Sequence, residues 1–117
     1  MMSDAWHDCY CEGWQGLLVP TAFAHPAKMS KALADRIYQH ATEQGWLRRG
    51  DVVVDCFGGI GGTALWPALH GVRWVGVELE PRFKALADQN FDLWRRKWGH
   101  DPDWVEPRMV LGDSRRL

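Results

Sequence analysis

Two carboxylates, Asp55 and Glu78, each close an apolar β-branched run, and a glycine-rich turn follows the first of them. The first run reads Val52-Val53-Val54-Asp55 and leads into Cys56-Phe57-Gly58-Gly59-Ile60-Gly61-Gly62-Thr63; the second reads Val75-Gly76-Val77-Glu78. Uninterrupted apolar β-branched residues suit a strand buried on both faces. The glycines allow a tight turn and a close approach of backbone to a ligand, where a Cβ would clash. A helix opening near Thr63 would add unpaired N–H groups and the positive end of its dipole. Strand, acid, glycine turn and helix together open a nucleotide-type α/β site. The same order also serves a plain glycine-rich turn that binds nothing.

The spacing narrows the ligand. A dinucleotide fingerprint requires G-x-G-x-x-G, and a P-loop requires Lys-Ser or Lys-Thr after the glycines; this chain has neither. An acid at the strand end repels a pyrophosphate but suits a ligand with an amino cation. S-adenosylmethionine carries that cation and a sulfonium, and has no phosphate.

Four segments in order carry a resemblance. Asp55-Cys56-Phe57-Gly58-Gly59-Ile60-Gly61-Gly62-Thr63 is similar to the Asp-Pro-Phe-x-Gly-x-Gly-Thr motif of amino-group DNA methyltransferases, which modify adenine N6 or cytosine N4. His25-Pro26-Ala27-Lys28 resembles their upstream His-Pro-x-Lys segment, Val75-Gly76-Val77-Glu78-Leu79-Glu80-Pro81 their second-strand motif, and Gly112-Asp113-Ser114 their third-strand motif. The resemblance implies a class I, Rossmann-like α/β fold: a parallel sheet flanked by helices, with S-adenosylmethionine as cofactor. Its implied roles follow residue by residue. Gly59 and Gly61 pass close to the methionyl and ribose portions, and Asp55 faces the ammonium. Thr63 caps the following helix and reaches the cofactor carboxylate, which Lys28 also holds. Glu78 accepts the ribose hydroxyls, Asp113 accepts the adenine amino group, and Phe57 and Leu79 line the adenine pocket.

Two departures stand out. Cys56 takes the place of the motif's proline, a mild change in turn shape. The family's catalytic motif, [Asp/Asn/Ser]-Pro-Pro-[Tyr/Phe/Trp], belongs on a fourth strand, whereas the sequence stops at Leu117 and contains no Pro-Pro pair. The expectation is the cofactor half of a DNA methyltransferase, truncated after the third strand, with no catalytic residue of its own. The alternatives are an inactive stand-alone S-adenosylmethionine module and a methyltransferase acting on RNA or a small molecule.

Composition sets bounds. The 117 residues allow one small α/β domain, expected over 25–117 after an irregular lead-in over 1–24. A hydrophobic share of 46% is enough for a core and argues against disorder. A formal charge of −1 gives no overall footprint for nucleic acid, so DNA contact is expected mainly of the complete enzyme. The mix of bases and aromatics at Trp94-Arg95-Arg96-Lys97-Trp98 is also what a helix C-terminus favours. No apolar run approaches the ~18 residues of a membrane span, and the polar start lacks a secretory signal. Three cysteines, an odd number, fit a reducing, cytoplasmic setting; Cys9 and Cys11 beside His7 and Asp8 lack the second ligand pair of a zinc site. Eight scattered tryptophans favour packing and interfaces over one stacking platform.

These residues must be positioned by alternating elements. Ser30 caps a helix running to about residue 44, with Gly45 ending it. Strands follow at 52–56, 73–78 and 107–111, with helices at 63–70 and from Pro81 to Trp98. Alternation implies a parallel sheet with right-handed crossovers, and the resemblance implies strand order 3-2-1. The first strand is then left as a long apolar edge, which invites self-association or a partner chain.

Overall fold

The protein, described here by a computed structural model over residues 5–8, 13–24 and 29–116, is built on three parallel strands. Element order is α1 (Lys31–Glu43), β1 (Val52–Asp55), α2 (Leu65–Leu69), β2 (Arg73–Glu78), α3 (Pro81–Trp98) and β3 (Arg108–Leu111), with 3-10 turns at Pro20–Ala24 and Ser114–Arg116. The strand order is β1-β2-β3, so β2 is central and the inferred 3-2-1 arrangement holds. Asp55 registers against Gly76, and Glu78 against Leu111, which brings the strand ends to one edge of the sheet.

Local chemistry explains the boundaries. Ser30 Oγ accepts the Leu33 N–H at 3.1 Å, opening α1 as its residue type suggests. Pro81 occupies the first turn of α3, where its missing N–H is harmless, and Glu80 precedes it as the N-cap. Arg95, Arg96 and Lys97 fill the last turn of α3, against the negative end of the dipole.

Side chains alternate along each strand. Val53, Trp74 and Met109 point toward the helices, and Trp74 meets Phe91 of α3 edge-on at 5.8 Å between ring centroids. The core also holds Ile60, Leu65, Ala87 and Trp94. Trp74 and Trp94 are completely buried. At ~150–250 Å² apiece, each supplies roughly 4–6 kcal/mol of hydrophobic stabilisation before the entropy of ordering is subtracted.

The other face corrects an expectation. Val52 and Val54 are each 57% exposed, so β1 is not buried on both faces. No helix covers these valines among the described residues, and β1 is also shorter than inferred, ending at Asp55. A purely apolar run states what a strand prefers; whether a second layer covers it depends on packing far from that run.

The described part of the lead-in, residues 5–8 and 13–24, holds one 3-10 turn and contributes to the core. Trp14, Leu18 and Ala22 join the central cluster. Asn90, wholly buried on α3, accepts the Val19 N–H at 2.8 Å and donates to the Ile60 carbonyl at 3.0 Å. One amide thus ties the lead-in, α3 and the glycine loop together, and satisfies backbone groups that would otherwise be buried unpaired.

Candidate functional site

The glycine loop crosses from the end of β1 over the end of β2. Gly58 N–H donates to the Val77 carbonyl at 2.8 Å, and Gly59 N–H donates to Glu78 Oε1 at 2.8 Å. Glu78 Oε2 accepts the Glu80 N–H at 2.8 Å. Each oxygen therefore holds one backbone donor and keeps acceptor capacity for a ligand hydroxyl. Asp55 is arranged similarly: Oδ1 accepts the Phe57 N–H at 2.9 Å, and Oδ2 accepts the Thr63 hydroxyl at 2.6 Å.

Thr63 does not cap α2. That helix begins at Leu65 with Ala64 as N-cap and no capping side chain, and it is only five residues long. The Thr63 hydroxyl is spent on Asp55, and Pro67, three residues into the helix, removes an N–H from the first turn. A helix this short contributes little dipole at the loop.

The two positive-φ glycines of the loop, Gly59 (φ 56) and Gly61 (φ 84), occupy the left-handed region. At Gly61 the demand is also internal, since a Cβ there would lie 2.5 Å from the Phe91 ring. The core, as much as any ligand, requires that glycine.

Two clefts meet at this edge. The larger, about 460 Å³, is lined by Met29, Asp55, Phe57, Gly58, Gly59, Ile60, Gly62, Thr63, Glu78 and Phe83. These residues include two carboxylates and no base. The smaller, about 280 Å³, adjoins it through Phe57 and Glu78 and continues past Val77, Leu79 and Gly112 to Asp113. Phe57, 85% exposed, stands between them, and Leu79 is 68% exposed. The structure thus assembles Asp55, Phe57, Gly59, Thr63, Glu78, Leu79 and Asp113 along one groove. Lys28, with His25, lies outside the described residues.

Asp113 is less open than expected. Arg115 grips it as a fork, Nε to Oδ1 at 3.0 Å and Nη2 to Oδ2 at 2.7 Å, and the Arg115 N–H adds a third bond to Oδ1 at 2.9 Å. The side-chain hydrogen bonds from Arg115, followed by the backbone one, hold the Asp113 carboxyl below the usual carboxylate range. An adenine amino group approaching Asp113 would share its oxygens with this guanidinium.

Behind Asp55 stand two residues that local patterns do not reveal. Trp74 Nε1 donates to Thr63 Oγ1 at 3.1 Å, and the Tyr38 hydroxyl donates to the Thr63 carbonyl at 2.7 Å. Burial is the main cause pushing the Tyr38 phenol up to about 12, so it remains a donor at neutral pH. Met29 and Phe83 are further cleft residues. Among the described residues no cluster of three or more His, Cys, Asp or Glu could hold a metal, and no helix is long and apolar enough to cross a membrane.

A parallel α/β sheet with a glycine loop after its first strand and an acid ending its second defines a Rossmann-like methyltransferase fold. The model of the N6/N4 DNA methylase family matches residues 2–89, and the chain belongs to that family. It is similar to the type II methyltransferase M.BglI of Bacillus subtilis, at 32% identity over 68 residues covering 58% of this chain and 18% of that protein. It is also similar to the orphan methyltransferase M.BamHII of Bacillus amyloliquefaciens, at 34% identity over 68 residues covering 58% of this chain and 24% of that protein. The matched stretch thus spans less than a quarter of either relative.

Proposed function

We propose that this chain is the S-adenosylmethionine-binding portion of a site-specific DNA methyltransferase directed at adenine N6 or cytosine N4. The observation that carries the reading is the pair of carboxylates, Asp55 and Glu78, lining the larger cleft, each keeping acceptor capacity beside the donors it already holds. Two carboxylates favour a cationic ligand and oppose a pyrophosphate. The bound cofactor would supply an activated methyl group. Asp55 would hold its ammonium, Glu78 would use its remaining acceptor capacity on the ribose hydroxyls, and Lys28 would serve the carboxylate. Phe57 and Leu79 would flank the adenine in the smaller cleft, with Asp113 at its amino group.

DNA is the partner of the complete enzyme, in keeping with the family. The exposed Val52 and Val54 on the edge strand β1 support association with a second copy or another polypeptide.

Titration calorimetry tests the cofactor reading. The chain should bind S-adenosylmethionine and S-adenosylhomocysteine and give no heat with NAD. Tight NAD binding without a response to either sulfur compound would overturn it.

A further inference from the structure

We infer that Trp74 is a positioning residue for the carboxylate of Asp55, acting through the Thr63 hydroxyl. The inference rests on the cofactor reading above, in which Asp55 meets the ammonium of S-adenosylmethionine. An indole N–H can donate and cannot accept. Trp74 Nε1 donates to Thr63 Oγ1 at 3.1 Å, so the hydroxyl's one proton must point elsewhere. It points to Asp55 Oδ2, 2.6 Å away. The direction of the chain is fixed from its buried end: indole to hydroxyl to carboxylate.

The remaining contacts make this a held arrangement. Tyr38 fastens the Thr63 backbone through its carbonyl at 2.7 Å, and the Phe57 N–H takes Asp55 Oδ1 at 2.9 Å. Each Asp55 oxygen then carries one donor, which sets the carboxylate plane while leaving acceptor capacity toward the cleft. The space for the indole is provided by Gly76, where a Cβ would lie 2.1 Å from the Trp74 ring. Packing alone does not call for the nitrogen. A phenyl ring would fill most of the same volume, but it would take away the donor that fixes the Thr63 hydroxyl from behind, leaving only its bond to Asp55.

The test compares two ligands on the full chain. S-adenosylhomocysteine carries the amino-acid ammonium; 5′-methylthioadenosine keeps the adenosine and thioether and lacks both that ammonium and its carboxylate, the latter being held by Lys28 and not by Asp55 in the reading above. Wild type should prefer S-adenosylhomocysteine. Trp74→Phe should narrow that preference by roughly three- to tenfold, the worth of one hydrogen bond, while leaving methylthioadenosine affinity unchanged. Equal weakening for both ligands, or no change for either, would assign Trp74 to packing and overturn the inference. Wild type binding both ligands equally would overturn it too, while leaving an adenosine cofactor site standing. Wild type binding neither would remove the cofactor reading and this inference together. If Trp74→Phe does not fold, replacing Trp74 with 3-benzothienylalanine by chemical ligation keeps the bicyclic shape, removes the N–H, and is read by the same criterion.

Discussion

Glu78 accepts the backbone N–H of Gly59 at 2.8 Å across the gap between two strand ends. The acid that closes β2 therefore shapes the loop that follows β1. A carboxylate assigned to ligand binding is at the same time a structural pin, and its substitution acts on both.

Glu78→Ala should weaken S-adenosylhomocysteine binding by about 1–3 kcal/mol through lost charge-assisted hydrogen bonds. It should also lower stability, because the Gly59 and Glu80 N–H groups lose their acceptors. Glu78→Gln keeps one carbonyl oxygen and should lose less of each. Calorimetry and urea denaturation on the same samples measure the two effects. Affinity lost with stability intact would show that the pin is dispensable.

Glycines with similar backbone angles should differ in their tolerance. Gly61→Ala meets both the left-handed strain and the Phe91 ring, and should cost about 3 kcal/mol or more. Gly45, at φ 76 with nothing within 4 Å of a built Cβ, should lose only about 1–2 kcal/mol as Ala. Urea midpoints decide this. Equal losses would mean that the Phe91 contact relaxes.

Removing the Asn90 amide should be severe for its size. Asn90→Leu fills the site with an alkyl group but strands the Val19 N–H and the Ile60 carbonyl. A loss of roughly 2–4 kcal/mol follows from leaving these groups unpaired. Amide hydrogen exchange at Val19 should accelerate in the variant. Unchanged exchange there would mean that the lead-in is held by its apolar contacts alone.

Tyr38 should set an alkaline limit on stability. Its phenol is raised from 10.0 to about 12 in the folded state, chiefly by burial. A raised folded pKa gives stability that is fully present below the unfolded value and lost as pH rises through the folded one. Stability should therefore fall between about pH 10 and pH 12, the interval set by those two values. Tyr38→Phe should be less stable at neutral pH, having lost the bond to the Thr63 carbonyl, yet should show a shallower alkaline decline. Denaturation midpoints collected up to pH 12 provide the check, and parallel declines would place the alkaline sensitivity elsewhere.

The open valine face should promote association. Light scattering is expected to rise with concentration, and Val54→Lys, on a side chain 57% exposed, should reduce it with little change in stability. A monomer across the whole concentration series would show that the edge of β1 is protected in solution.

Much of the fold was legible because its signals are local. Pro81 after Glu80 marks the start of α3, Ser30 marks the start of α1, and alternating strand and helix patterns require a parallel sheet. The backbone of the candidate site was legible to the same depth: an acid ending a strand, and glycines after it, report their local geometry in their own types. Thr63 was the exception within the loop. A hydroxyl suits a helix cap or a neighbouring carboxylate equally, and only the path of the turn gives it to Asp55.

The sequence by itself determined the order of the strands' chemistry: which acids lie at or beside their ends, where the loop turns, and which family's motifs they follow. Tertiary structure decided everything that depends on distant partners. Tyr38, Trp74 and Asn90 sit in ordinary apolar or mixed stretches, and nothing beside them in the chain shows that they hold Thr63 and Ile60. The lead-in lacked periodicity, yet its Trp14 and Leu18 became core because α3 offered them a surface. Val52 and Val54 carry the residue type of buried strands and are nonetheless exposed, since burial requires a second layer and the run specifies only one strand. Side-chain type expresses a preference for an environment; folding determines which groups can supply it.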